Sequence, residues 1–368
     1  FAHNNNIDVL ILDHHQSEMS LPKAHSIVNP NRFDDSSNLN YLCAAGVCFM
    51  FLIALNRELR NLNWFKLKKI TEPDLINFLD LVSMGTVCDV VPLIGLNRAI
   101  VKQGLKILKS KKNLGLSTLL SICNIEREPT TYDLGYLLGP RINAGGRIGK
   151  CSQGADLLLE KNSKNAFYLA SELDKQNKER QILEKDLLNK VLNDISDFSD
   201  PVLILSGKDW HEGIIGIIAS RIKERFNKPT IIISTNNKNG KASARSVIGF
   251  DIGSVIISAV QSGIVISGGG HKMAGGFSIQ IDKINEFKEF AIRKFRTLNV
   301  NISEEKKILI DSVVAPSALN LDFYNKINSL APFGSGNSEP KFYIENLRLL
   351  NSKIVGEKHI KSILLGED

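Results

Sequence analysis

The feature that most constrains this fold is a short apolar run, residues 7–12 (IDVLIL), that ends directly in Asp13, His14 and His15. An apolar run of this length is typical of a strand buried in a parallel sheet. Helix-like segments follow it, the first of them near Leu42–Leu59. Strands that alternate with helices in this way predict an α/β fold built on a parallel sheet.

The pattern of helix-like and strand-like residues divides the chain into four segments. Its 368 residues are enough for two or three domains. We predict an incomplete parallel-sheet domain over residues 1–160, a long connecting helix over 161–198, a second α/β domain over 199–300 and a partial β domain over 301–368. The helix is inferred from apolar positions at helical spacing in a polar segment. Because strand-like runs lie at both ends with nothing beyond them, we expect both ends to be cut.

The charge balance gives a weak indication of the partner. Lysine and arginine exceed aspartate and glutamate by 46 − 39 = 7. A basic surplus favours a polyanionic partner. A drift toward codons for lysine and asparagine would produce the same surplus, so both explanations stay open.

The cysteines and the apolar runs bear on location. Five cysteines form no CxxC pair, and we interpret them as buried thiols in a reducing compartment, which predicts a cytoplasmic protein. The longest apolar run, Tyr41–Leu55, is shorter than the ~20 residues that a membrane span needs. It is therefore predicted to be a buried core helix, and no membrane partner is expected.

Polar residues follow the first strand at the edge where ligand sites of α/β sheets collect. Asp13, His14 and His15 (the DHH triplet) offer carboxylate oxygen and imidazole nitrogen to a divalent ion. Asp89 lies within an apolar segment, residues 85–93 (GTVCDVVPL), where a lone buried carboxylate is costly unless it is paired or bound to metal. One interpretation is that the triplet and Asp89 share an ion. The other is that the triplet is a solvated loop and Asp89 is a helix cap.

A glycine-rich stretch, residues 139–149 (GPRINAGGRIG), carries Arg141 and Arg147. Glycines let the backbone approach an anion closely, and guanidinium groups bind phosphate through paired hydrogen bonds. The stretch is therefore predicted to be a loop, either one that binds phosphate or a tight interdomain turn with surface arginines.

Three further patterns that suit phosphate lie in the second α/β segment. Residues 210–213 (WHEG) come between a strand and a helix, so they lie at a helix N-terminus, where anions bind. Ser243 and Arg245 share the short segment KASARS. Residues 268–276 (GGGHKMAGG) place His271 in a predicted loop whose backbone amides are free to bind phosphate. Three such patterns in one small domain favour a polyanionic ligand.

Taken together, these segments resemble the RecJ-type single-strand-specific exonucleases of the DHH/DHHA1 phosphoesterase superfamily. The DHH triplet, GTVCDVVPL, GPRINAGGR, WHEGIIGIIASR, the ARS segment, GGGHKMAGGF and PFGSGNSEPKF occur in the family's order and approximate spacing over essentially the whole chain. The resemblance implies the C-terminal part of a DHH domain, a DHHA1 domain and a partial OB fold. It also implies 5′→3′ hydrolysis of single-stranded DNA with two Mn²⁺ or Mg²⁺ ions, in DNA repair and recombination.

The resemblance also assigns roles to individual residues. It makes His14 and Asp89 metal ligands, His15 the contact to the scissile phosphate, and Asp13 the residue that orients the cluster. The DNA-binding residues that it implies are Ser243 and Arg245 at the 5′ phosphate, and Arg141, Arg147 and His271 along the DNA path.

This chain departs from the family pattern at its start. The family carries two aspartate-rich metal motifs before the DHH strand, and neither is present here. We therefore expect this chain to bind metal weakly and to cleave poorly.

The resemblance extends to partners and leaves two alternatives. The expected partners are single-stranded DNA with a 5′ phosphate and a single-strand-binding protein, and the chain is expected to be a monomer. One alternative is a phosphodiesterase of the same superfamily that acts on oligoribonucleotides or cyclic dinucleotides. The other is a non-catalytic RecJ-like module that binds nucleic acid.

Overall fold

The computed structural model describes residues 1–17, 19–194, 199–236, 238–298, 308–356 and 359–366. Contacts group the chain into two compact units. The first comprises Phe1–Pro140, Leu158–Ala170 and Ile308–Asp368, and the second comprises Arg141–Leu157 and Ser171–Lys307. The four segment boundaries predicted from the sequence stay a prediction.

The first unit opens with two short parallel strands and continues in helices. The strands pair from Leu10 with Ser26 to Leu12 with Val28. Residues that follow the strand at its carboxyl end, beginning with Asp13, therefore lie at the edge of the sheet. The elements are β1 (Leu10–Leu12), β2 (Ser26–Val28), α1 (Ala44–Asn61), α2 (Trp64–Lys68), α3 (Leu79–Cys88), α4 (Gly95–Lys109), α5 (Leu114–Ile122) and a π-helix (Asp133–Leu138).

The first strand is shorter and more exposed than the sequence predicts. Only Leu10–Leu12 form β1, where Leu10 is exposed and the two residues after it are half-buried. The prediction of a buried strand over residues 7–12 is therefore wrong in its burial. Within the described part of the chain, β2 is the one strand that pairs with β1, so no second neighbour covers it.

The apolar run at residues 41–55 forms most of α1, which is buried on one side only. Val47 and Phe49 are buried, whereas Leu52 and Ile53 are 38% and 41% exposed. The prediction of a core helix thus holds for one face. Among the described residues, none of the helices combines the length and the apolar character that crossing a bilayer requires.

The cysteines differ in burial. No disulfide joins any two of the five, all of which lie among the described residues; Cys43 is buried, but Cys88 and Cys151 are exposed. The expectation of five buried thiols is therefore wrong for these two. Cys43 has a local role, because its Sγ accepts a hydrogen bond from the backbone of Gly46 and caps α1.

The glycine-rich stretch at residues 139–149 is largely helical, which corrects the prediction of a loop. It forms α6 (Gly139–Ile142) and α7 (Ala144–Ile148), and α8 (Gln153–Leu159) and the long helix α9 (Ser163–Asp194) follow. The two arginines of this stretch therefore lie on short helices, Arg141 on α6 and Arg147 on α7, and not in a glycine loop.

The second unit is built on a five-stranded mixed sheet in the order β3-β4-β5-β7-β6. The interior strand β4 is covered on both faces, because Ile231 and Ile233 pack in one apolar cluster and Ile232 packs in the other. Of the neighbouring strands in this sheet, β3 and β4 pair in parallel and the other pairs are antiparallel. The elements are β3 (Leu203–Lys208), α10 (Glu212–Phe226), β4 (Thr230–Thr235), β5 (Asn239–Arg245), α11 (Ile252–Gln261), β6 (Ser267–His271), β7 (Ala274–Gln280) and α12 (Ile284–Thr297).

The glycine cluster at residues 268–276 is a β-hairpin, so the prediction of a loop with free amides is wrong. Strands β6 and β7 pair from Ser267 with Ser278 to His271 with Ala274. The glycines serve close packing: a Cβ on Gly253 of α11 would lie 2.7 Å from the carbonyl oxygen of Gly270 on β6. The helix can approach the hairpin this closely because Gly253 lacks a side chain.

The last segment of the first unit is rich in short strands, as predicted. Strands β8 (Ser312–Val313) and β9 (Phe342–Tyr343) pair in parallel, helix α13 (Leu321–Asn328) lies between them in sequence, and β10 (Leu347–Val355) and β11 (His359–Gly366) form an antiparallel pair. Together with the sheet of the second unit, these elements confirm the predicted α/β fold class.

The π-helix begins at a buried carboxylate that pairs with a largely exposed arginine. The carboxylate of Asp133 is fully buried and accepts hydrogen bonds from both terminal nitrogens of Arg127, at 2.6 and 2.7 Å, and from the backbone and hydroxyl of Thr130. Burial alone would raise the pKa of Asp133, but these hydrogen bonds and the charge of Arg127 outweigh it, and the net effect is a lowered pKa.

We expect Asp133→Asn to lower the free energy of unfolding by about 1.5–3 kcal/mol at neutral pH, because it removes hydrogen bonds to a charged acceptor. A lowered pKa means that the contribution is present at neutral pH and is lost as the pH falls below the ordinary value of 3.8. Urea unfolding at several pH values should show the difference between the two proteins narrowing in acid.

The matched control is Glu128→Gln, which removes the exposed ion pair between Glu128 and Lys109. Its effect should stay within about 0.5 kcal/mol. Equal effects of the two substitutions would contradict the role given to Asp133.

Candidate functional site

The DHH triplet forms a tight loop that Asp13 organises. The backbone amide of Asp13 bonds to the carbonyl of Val28 at 3.0 Å, which fixes the loop to β2. Its Oδ1 accepts from the amides of His14 and His15, at 2.8 and 3.3 Å, and lies 2.7 Å from Nδ1 of His15. Burial raises the pKa of Asp13, but these hydrogen bonds outweigh it and lower the pKa overall.

Two asparagines that the sequence analysis missed hold the same loop from the segment after β2. Nδ2 of Asn31 donates to the carbonyl of His14 at 2.7 Å, and Nδ2 of Asn29 donates to the carbonyl of His15 at 2.9 Å. Asn29 is buried, so its amide must find partners within the protein. These contacts join residues that are 14 and 17 positions apart in the chain, so no local sequence pattern could have identified this support.

The structure brings the triplet together with Asp89. Nε2 of His14 lies 3.5 Å from Oδ2 of Asp89, and their side chains are 18% and 41% exposed. Asp89 is the C-cap of α3, where the helix dipole disfavours a negative charge by about 0.3–1 kcal/mol. The next residue, Val90, has a φ of 60°, a left-handed conformation that is rare for a β-branched residue. Local backbone preferences therefore do not explain this carboxylate, whereas a cation beside it would.

The pair fits a divalent ion as part of a ligand set. An imidazole nitrogen and a carboxylate oxygen that converge within 3.5 Å are donors that Mn²⁺ accepts, and the carboxylate alone suits Mg²⁺. Among the described residues, no group of three or more His, Cys, Asp or Glu side chains has the geometry to hold a metal ion. His14 and Asp89 would therefore be two of the ligands, and water or phosphate oxygens would be among the others.

In the second unit, the WHEG segment lies at the N-terminus of α10, as predicted. His211 is the N-cap, and its Nδ1 accepts from the amide of Gly213 at 3.1 Å. Nη1 of Arg147 donates to the carbonyl of Gly213 at 3.1 Å. A Cβ on Gly213 would lie 2.3 Å from the carbonyl oxygen of Arg147, so this glycine allows α7 to contact α10 and fixes the position of Arg147.

Arg147 and Arg245 line one cleft of the second unit, with a volume of about 280 Å³, which we call the arginine cleft. Nη1 of Arg245 donates to Oγ of Ser243 at 3.2 Å and to the carbonyl of Ala244 at 2.8 Å. Burial and the charge of Arg147 both lower the pKa of Arg245. The charge of an anion in the cleft would favour the charged guanidinium and so offset both effects. The other lining residues are Gly216, Ile217, Ser220, Arg221 and Glu224.

The sequence analysis missed Ser220 and Arg221 of this cleft. Both lie on α10, about one helical turn beyond Gly216, which also lines the cleft. Nε of Arg221 pairs with Oε1 of Glu184 at 3.1 Å, so its charge is partly balanced. The signal was the spacing within IIGIIASR, which places these residues near one helix face.

The structure separates Arg141 and His271 from the arginine cleft. Arg141 is only 16% exposed, and its Nε pairs with Oδ1 of Asp174 on α9 at 2.9 Å. Strand register places His271, Ala274 and Arg245 opposite one another across the sheet. His271 is therefore two strands, roughly 10 Å, from Arg245. Of the predicted DNA-binding residues, Arg147, Ser243 and Arg245 come together and the other two do not.

Comparisons with known proteins find relatives for two parts of the chain and for the chain as a whole. Residues 199–297 match the DHHA1 domain family, and residues 310–368 match the RecJ OB domain family. The chain is 35% identical to the single-stranded-DNA-specific exonuclease RecJ of Dickeya dadantii, over 98% of this chain and 64% of that protein. It is 34% identical to RecJ of Escherichia coli, over 96% of this chain and 63% of that protein. The chain thus spans less than two thirds of the length of these relatives.

A solved structure gives the same result. The crystal structure of RecJ from Thermus thermophilus in complex with Mn²⁺ superposes with a TM-score of 0.84 at 28% identity. The superposition covers 98% of this chain and 52% of that one. Sequence and fold therefore agree on one group of relatives.

Proposed function

We propose that the chain is a member of the RecJ family and that it acts in the hydrolysis of single-stranded DNA from a 5′ end, in DNA repair and recombination. The observation that carries this proposal is the approach of His14 and Asp89, 3.5 Å apart at the edge of the first sheet. The relatives that the chain matches are single-stranded-DNA-specific exonucleases by name.

We propose Mn²⁺ or Mg²⁺ as the cofactor, two ions in the complete protein, with His14 and Asp89 as ligands on this chain. The similar Thermus thermophilus structure is a complex with Mn²⁺. Divalent ions in such sites activate water and stabilise the charge that develops on the phosphate. Two donors are few for a rigidly held ion, which agrees with the expectation that this chain binds metal weakly.

His15 is the proposed contact to the scissile phosphate, and Asp13 positions it. Oδ1 of Asp13 lies within hydrogen-bond distance of Nδ1 of His15, at 2.7 Å. Nε2 is therefore the ring nitrogen that is left to face a ligand. In the protonated ring both nitrogens donate, and Nε2 then donates to a phosphate oxygen while Asp13 balances the charge. The side chain of His15 is 67% exposed, which leaves room for a substrate.

The 5′ phosphate is the proposed ligand of the arginine cleft. Arg147 and Arg245 supply charge, and the hydroxyl of Ser243, already 3.2 Å from Arg245, supplies a further donor. Guanidinium groups match the geometry of phosphate oxygens. Arg141 and His271 stay proposed contacts to the strand at other points, and the ion pair of Arg141 with Asp174 would weaken such a contact.

One observation favours a second function, nucleic-acid binding without hydrolysis. Among the described residues, no site offers three or more His, Cys, Asp or Glu side chains to a metal ion. A binding module would keep the arginine cleft but would hold no pair of ions. The two functions differ in the number of Mn²⁺ ions bound, which calorimetry measures directly.

The remaining partner assignments are predictions of the resemblance. A single-strand-binding protein as partner and a monomeric state are among them. A cytoplasmic location is also proposed, because the five cysteines of the sequence form no CxxC pair.

We expect Asp89→Asn to lower Mn²⁺ affinity at least tenfold and to reduce nucleotide release in proportion, because a neutral amide is a poor ligand for hard cations. The free energy of unfolding should stay unchanged or rise by about 0.3–1 kcal/mol, since a negative charge leaves a helix C-terminus. Titration calorimetry and urea unfolding measure the two effects.

The matched control is Asp186→Asn, which neutralises an exposed carboxylate on α9. It should leave Mn²⁺ affinity as it is. Unchanged Mn²⁺ affinity in Asp89→Asn would remove Asp89 from the ligand set.

We expect Arg245→Ala to weaken binding of 5′-phosphorylated single strands at least tenfold, because a hydrogen-bonded charge pair contributes about 1.5–3 kcal/mol. Strands with a 5′ hydroxyl should bind almost as they do to the unaltered protein. Fluorescence anisotropy with the two strands at fixed salt measures the difference.

Arg225→Ala is the control, because Arg225 is exposed on the same helix as the cleft residue Arg221 and carries the same charge. Its loss should be small and equal for both strands. Equal losses in Arg245→Ala would exclude Arg245 from recognition of the 5′ end.

A further inference from the structure

A pocket of about 450 Å³ lies within the first unit, beside Asp89. Three segments line it: the end of α3 with the residues up to Leu93, the region of the π-helix, and the turn from Phe333 to Glu339. Cys88 and Val90, the neighbours of Asp89 on both sides in sequence, are lining residues. Asp89 is not itself a lining residue, but it lies in the chain between two residues that are.

Hydrogen bonds between the segments hold this pocket open. Oγ1 of Thr131 donates to the carbonyl of Phe333 at 2.7 Å, and the backbone amide of Leu93 donates to the carbonyl of Ser335 at 2.6 Å. Val90 is kept in its left-handed conformation on the pocket wall and is 69% exposed. A strained, exposed residue of this kind is more often found at functional sites than in ordinary turns.

Two tyrosines on the pocket are stacked on each other and open to solvent. The ring centroids of Tyr132 and Tyr136 lie 4.9 Å apart with an interplanar angle of 28°. The residues are 58% and 70% exposed. Tyr136 belongs to the π-helix. This element is rare in proteins, and where it occurs it is frequently part of a functional site. Ring faces in this position are available for another flat ring.

The chemistry of the walls selects a base over a phosphate. Of the described residues that line the pocket, Glu339 alone is charged, and its negative charge repels phosphate. Val87, Val90 and Phe333 give it apolar walls. Aromatic rings and apolar walls bind nucleobases through stacking, whichever base is present.

We propose that this pocket binds a nucleobase of the single strand, stacked on the Tyr132–Tyr136 pair, next to the nucleotide whose phosphate lies at His14 and Asp89. The inference rests on the proposed function and deepens it, because it adds a contact to the bases where the other contacts are to phosphate. It predicts that affinity depends on the presence of bases and little on their identity.

The test compares two 5′-phosphorylated strands of equal length, an oligothymidylate and a strand made of abasic sites, in EDTA so that neither is cleaved. Tyr132→Ala and Tyr136→Ala should each weaken oligothymidylate binding about tenfold and leave binding of the abasic strand unchanged. Tyr132→Phe and Tyr136→Phe keep the ring and should bind like the unaltered protein. Fluorescence anisotropy measures all of these affinities.

The matched control is Tyr168→Ala, because Tyr168 is 65% exposed on α9 and does not line the pocket. It should change neither affinity. No loss in the two pocket variants, or equal losses on both strands, would overturn the proposal. Arg245→Ala, measured on oligothymidylate with and without the 5′ phosphate, separates the base pocket from the proposed function. If Arg245→Ala loses affinity only for the 5′-phosphorylated strand while the tyrosine variants bind like the unaltered protein, the base pocket alone is overturned. Failure of the unaltered protein to bind either strand overturns both proposals.

Discussion

The approach of His14 to Asp89 is the contact on which the candidate chemistry depends. A carboxylate at the C-terminus of α3 opposes the helix dipole, and the following Val90 is left-handed. Neither feature stabilises the helix end. The loop of the DHH triplet is meanwhile held by Asp13 and by two asparagines behind β2. The fold thus fixes an imidazole beside a carboxylate that has no local stabilising role, which is the arrangement expected where function and not stability determines the residues.

The sequence predicts those parts of the fold and site that depend on short-range patterns. The start of α10 at WHEG follows from a strand, a capping residue and an apolar helical period, and it is confirmed. The proximity of His14 to Asp89 is predicted from a polar triplet after one apolar segment and a lone aspartate within another. The observed distance of 3.5 Å between the two side chains agrees with that prediction. Their roles as metal ligands stay a prediction. Asn29 and Asn31, by contrast, act on a loop 14 and 17 residues away in the chain, beyond any local pattern.

The glycine cluster shows why the remaining parts could not be predicted. Glycines suit a phosphate-binding loop, and they equally suit a strand against which another backbone packs. At residues 268–276 the second use applies, since Gly253 of α11 lies against Gly270. The choice between the two depends on which helix covers the strand. That is a tertiary contact, and the glycine spacing is the same in both cases.

Arg141 and Arg147 extend the same argument from backbone to charge. They are six residues apart in one glycine-rich stretch and had the same predicted role. Arg141 meets Asp174 on α9, and the pair stabilises the unit. Arg147 donates to the carbonyl of Gly213 and reaches the cleft where it lowers the pKa of Arg245. Two cations that disfavour each other are kept side by side at a cost in stability. The proposed 5′ phosphate would supply the negative charge that such a pair needs, whereas Arg141 already has that charge in Asp174.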